Sequence, residues 1–76
     1  MALYYHGTNE KAAGRILCEG FRGGTWFADK KEDALKFGGN HIFTVKIFWY
    51  GKRAYDWQIC SINAISRSRI RKYEVV

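Results

Sequence analysis

The chain has 76 residues, 47% hydrophobic and 17% aromatic, and carries a formal charge of +6. That length allows one domain over residues 1–76 with a thin core, since a chain this small buries only ~60% of its unfolded surface. The aromatic content excludes a disordered chain, and no run approaches the ~20 apolar residues of a membrane helix. The N-terminus has no charged region followed by an apolar core, so the expected location is the cytoplasm, with no membrane partner.

In chain order, Leu3-Tyr4-Tyr5-His6 reads as a short strand stopped by Gly7, and Thr8 and Asn9 are helix N-cap types. Ala12, Ala13, Ile16 and Leu17 then fall on one helical face, with Lys11 and Arg15 off that stripe. Gly20 is a natural stop, and Phe21 is expected to fold back onto the helix. Gly14 costs roughly 1 kcal/mol against Ala inside a helix and suggests close packing on a strand.

The stretch Gly23-Gly24-Thr25-Trp26-Phe27-Ala28-Asp29 organises the rest. Two glycines permit a left-handed turn, and Thr, Trp and Phe favour a strand. Asp29 with Glu32 matches a capping box ahead of a two-turn helix over 30–37, ended by Gly38-Gly39. Residues 41–50 give the strongest strand signal, with Thr44, Lys46 and Phe48 on one face and Phe43, Val45, Ile47 and Trp49 on the other. Gly51 and Lys52 start a turn, 56–60 reads as a short strand, and 65–75 as the last one. The order β-α-β-α-β-β-β predicts an α+β fold with antiparallel connections.

Several constellations have a structural and a functional reading. His6-Gly7-Thr8 is either a half-buried His before an ordinary cap or a His donor at a strand end beside a Gly whose bare backbone can approach a ligand. Trp26 and Phe37 are either core residues or two walls holding a flat ring. Arg67, Arg69 and Arg71 alternate, so on a strand they share a face. With Lys72 they form either a protected edge or a docking surface for phosphates or an acidic protein. Cys18 and Cys60 could pair, but two cysteines without a secretory signal are more often buried free thiols. A zinc site from Cys18, Cys60, His6 and His41 meets the ligand count but has no metal-ligand spacing, so no metal is expected.

Taken together, Tyr5-His6-Gly7-Thr8, Ile16-Leu17-Cys18-Glu19-Gly20-Phe21 and Gly24-Thr25-Trp26-Phe27-Ala28-Asp29 resemble the ADP-ribosyltransferase superfamily, in its poly(ADP-ribose) polymerase-like branch. The resemblance covers the first half of the chain; Tyr55-Asp56-Trp57-Gln58-Ile59 and the segment after it match loosely. It implies a small split β-sheet with two short helices and NAD as the substrate. By resemblance, His6 bonds a ribose hydroxyl, Gly7 holds the carboxamide through its backbone, and Thr8 follows them in the motif. Trp26 stacks on the nicotinamide, and Phe37 covers its other face. The transition-state carboxylate falls on Asp56, one methylene shorter than the family's Glu; Gln58 or Glu74 serves instead if the register shifts.

Two functions follow as expectations. One is a minimal ADP-ribosyltransferase acting on a protein or nucleic acid through His6, Trp26 and Asp56. The other is a non-catalytic, phage-type inhibitor, anti-CRISPR-like, docking on a host protein or nucleoprotein complex through Arg67, Arg69, Arg71 and Lys72. Plain nucleic-acid binding through the same basic residues is a third possibility, and it predicts a steep salt dependence.

Overall fold

The computed structural model describes residues 2–47, 51–53 and 58–76, and of 51–53 the backbone alone. In chain order the elements are β1 (Ala2–Thr8), α1 (Glu10–Glu19), β2 (Trp26–Ala28), α2 (Lys31–Ala34), a 3-10 turn (Leu35–Phe37), β3 (His41–Ile47), β4 (Gly51–Arg53), β5 (Gln58–Ser61), a second 3-10 turn (Arg67–Arg69) and β6 (Ile70–Val75). Among the described residues the strands form one antiparallel sheet in the order β4-β5-β2-β1-β3-β6. The α+β class is as the sequence predicts.

β1 and β3 make the centre of the sheet, paired along their whole length from Ala2–Ile47 to Thr8–His41. Both faces of β3 carry an apolar cluster, which is why it is buried at Ile42, Phe43, Thr44, Val45 and Ile47 and shows no simple alternation. Neighbouring residues on a strand point to opposite faces. Accordingly Tyr4, Phe27, Phe43 and Ile59 join one apolar cluster, under Ala13 and Ile16 of α1. Ala28, Ala34 and Ile42 form the other, flanked by Tyr5 and Phe37. Each buried Phe or Ile contributes about 1.5–3 kcal/mol by leaving water.

α1 begins where the cap residues predict. Asn9 Oδ1 accepts from the Ala12 N–H at 2.8 Å, and the helix ends with the Gly20 N–H donating to the Ile16 carbonyl at 2.8 Å. Phe21 folds back into the core and bridges to Ile65. Gly14 does not sit against a strand, contrary to expectation: a Cβ there would meet nothing within 4 Å. Gly24 takes φ +85°, the left-handed turn foreseen ahead of β2.

Four further expectations are corrected. The residue at the α2 cap is Lys30, without a side-chain cap bond, so Asp29 and Glu32 are one position out of register for a capping box. The segment also splits into four α-helical residues and a 3-10 turn. Gly51-Lys52-Arg53 is a strand paired with β5 rather than a turn, a three-residue pairing too short to leave a pattern. The last strand begins at Ile70, not at 65. Ser66 Oγ accepts from the Ser68 N–H at 3.2 Å, and the Arg69 N–H reaches the Ser66 carbonyl at 3.0 Å, which closes a 3-10 turn.

Candidate functional site

The C-terminal end of β1, the last two turns of α1, the turn before β2 and the end of the first 3-10 turn enclose a cleft of about 640 Å³. Pockets that hold small molecules typically run ~300–1,000 Å³. His6, Gly7, Thr8, Trp26 and Phe37 all line it. These residues come from three separate stretches of chain, and the fold brings them together because β1 pairs directly with β2 while the Leu35–Phe37 turn packs on β1.

His6 is held on several sides. Its ring makes an edge contact with Phe21 at 5.6 Å, a tilted one with Phe27 at 5.7 Å and a stacked one with Phe37 at 6.0 Å. Nδ1 lies 2.7 Å from the Trp26 carbonyl oxygen. A carbonyl only accepts, so Nδ1 carries the proton and the neutral ring keeps its lone pair on Nε2. Burial among the aromatic rings lowers the imidazole pKa below 6.5, partly offset by the bond to Trp26, which favours the charged form. At neutral pH the residue is therefore an oriented, uncharged acceptor at Nε2. The half-buried structural reading holds, and with its N–H donated to the Trp26 carbonyl the ring keeps an acceptor at Nε2 rather than the donor expected.

Gly7 has a packing reason for lacking a side chain. An added Cβ would stand 2.3 Å from the Ala34 carbonyl oxygen, so α2 sits directly against β1. Trp26 is 40% exposed, while Phe37 is half-buried against the Ala34 cluster. Trp26 thus offers a free aromatic face at the cleft, and Phe37 a supported one.

The candidates for the third site residue separate. Asp56 lies outside the described residues. Gln58 is engaged in the pairing of β5 with β2 and does not line the cleft. Glu74 is on β6, beyond β3, where Lys31 Nζ donates to it at 2.6 Å and Lys72 Nζ stands 3.6 Å away. That hydrogen bond to Lys31 holds the Glu74 carboxyl below the usual carboxylate value. Glu74 is thus an ion-paired residue away from the cleft.

The arginine run does not form a strand face as expected. Arg67 and Arg69 belong to the 3-10 turn, and only Arg71, with Lys72, is on β6. Arg67 donates to the Leu17 carbonyl at 3.5 Å, at the C-terminal end of α1, and Arg71 to the Ser68 carbonyl at 2.9 Å. A cation there suits the negative end of a helix dipole. Neither cysteine is in a disulfide, and Cys18 is exposed rather than buried. Among the described residues no group of His, Cys, Asp or Glu is placed to hold a metal, and no helix is long and apolar enough to cross a membrane.

Sequence reasoning missed three charged residues that line the cleft: Arg15 and Glu19 on α1, and Arg22 in the turn before β2. The available signal was helical spacing, which puts Arg15 one turn before Glu19 on the side flanking Ile16. No protein-family model matches the chain, and no curated protein matches it.

Proposed function

We propose that the chain is a minimal ADP-ribosyltransferase-like protein whose cleft binds NAD by its nicotinamide–ribose half. One observation carries the reading: His6, Gly7, Thr8, Trp26 and Phe37, the residues the motif resemblance selects, line a single cleft. In this reading Trp26 and Phe37 hold the nicotinamide by offset stacking. Nε2 of His6 accepts a hydrogen bond from a ribose hydroxyl, its orientation fixed by the Nδ1 bond to the Trp26 carbonyl. The transfer breaks the C1′–N bond of NAD. Nicotinamide leaves with the bonding pair, and an acceptor nucleophile attacks C1′ and gives up its proton. A carboxylate stabilises the oxocarbenium-like transition state. Asp56 is the residue proposed for it, in a site that needs ~1 Å accuracy.

A second reading is favoured by the placement of Glu74 and Gln58 away from the cleft. It is a non-catalytic binding protein, anti-CRISPR-like, that docks on a host protein or nucleoprotein complex with Arg67, Arg69, Arg71 and Lys72. Titration of NAD followed by tryptophan fluorescence separates the two. Saturable quenching lost in Trp26→Phe and His6→Ala is the result expected of the first. No response up to millimolar NAD overturns it and leaves the second, for which charge reversal of the arginines abolishes partner binding.

A further inference from the structure

We infer that the cleft has an anion-binding arm, made by Arg15 and Arg22, that takes the phosphate of a ring–ribose–phosphate ligand. This rests on the nucleotide reading of the aromatic end and assigns two residues that the motif resemblance does not select.

The two arginines come from different segments, α1 and the turn before β2, and both line the cleft that Trp26 and Phe37 line. Both are exposed, and among the described residues neither forms an ion pair. Lys31, Lys36 and Lys72, by contrast, each face a carboxylate. Glu19 is the acid on the same wall, so the three charges sum to +1 beside the ligand space. The C-terminal carbonyls of α1, which repel an anion, are partly met by Arg67 at the Leu17 oxygen. Guanidinium groups bind phosphate in a forked geometry with charge-assisted hydrogen bonds. A flat ring held at Trp26 and Phe37 with its ribose at His6 leaves a 5′-phosphate as the group that the two guanidiniums match.

The test is calorimetry with nicotinamide mononucleotide, nicotinamide riboside and inorganic pyrophosphate, on the full chain and on the Arg15→Gln/Arg22→Gln double variant. Circular dichroism checks that the variant folds. The mononucleotide binds at least ~10-fold tighter than the riboside, and the double variant erases that preference without weakening the riboside. Raised salt narrows the preference, and Glu19→Gln tightens the mononucleotide alone. Equal binding of the two nicotinamide ligands overturns the proposal and leaves the ring site intact. Arginine-dependent pyrophosphate binding with no nicotinamide binding supports the anion arm and refutes the ring reading. Binding of none of the three overturns both.

Discussion

Substituting Gly7 by Ala probes the contact that builds the cleft. The new Cβ would stand 2.3 Å from the Ala34 carbonyl oxygen, 3.0 Å from the Ala34 carbonyl carbon and 3.1 Å from Ile42 Cδ1. Ordinary contact is ~3.5 Å, so α2 must retreat from β1 by ~1 Å. The two nearest atoms are backbone and cannot swing aside. Overpacking of this kind costs about 1–3 kcal/mol or more. For a domain of this size each kcal/mol is worth ~4–8 °C in Tm, so the midpoint falls by about 4–24 °C. Gly14→Ala is the matched control. Its Cβ meets nothing within 4 Å on α1, so helix propensity dominates and the change stabilises by about 1 kcal/mol. Urea and thermal unfolding followed by circular dichroism read both. A Gly7→Ala midpoint equal to wild type, or a Gly14→Ala midpoint below it, refutes the packing reasoning.

Replacing Asn9 with Ala removes the bond to the Ala12 N–H and lowers stability by about 1 kcal/mol in the same urea assay. Because His6 titrates below 6.5 when folded, the unfolded chain binds the extra proton first. The stability His6 contributes is therefore complete above 6.5 and is lost as pH falls through that value toward the lowered folded pKa. His6→Gln flattens this part of the profile in unfolding curves between about pH 5 and pH 8. Removing the exposed aromatic face in Trp26→Ala weakens NAD by about 3–10-fold, measured by calorimetry. Lys31→Ala leaves the urea midpoint close to that of the wild type, since the Lys31–Glu74 pair is partly exposed and screened.

The first half of the fold was legible because its signals are local. Asn9, Gly20 and Gly24 act through caps and turns that the chain makes with itself, and each sits where its residue type predicts. The cleft was legible for a related reason, since His6-Gly7-Thr8 and Trp26 flank the same β1–β2 pairing. What was not legible depends on partners far along the chain. The three residues of β4 form a strand only because β5 lies beside them. Ser66 reads as a strand residue by neighbourhood, yet its hydroxyl and carbonyl close a turn on Ser68 and Arg69 that shortens β6. That Gly7 has no room for a side chain and Gly14 has depends on Ala34 and Ile42, which lie far along the chain from either. Arg15 and Arg22 are seven residues apart in sequence, and both line the cleft because Phe21 turns the chain back into the core.

The most direct test of the nucleotide-cleft reading is a two-dimensional NMR titration of the isotopically labelled chain with NAD. Progressive shifts at the Gly7, Thr8 and Phe37 amides and at the Trp26 indole N–H, lost in His6→Ala, are the predicted result. Absence of shifts at these groups, or shifts confined to residues 67–72, contradicts it.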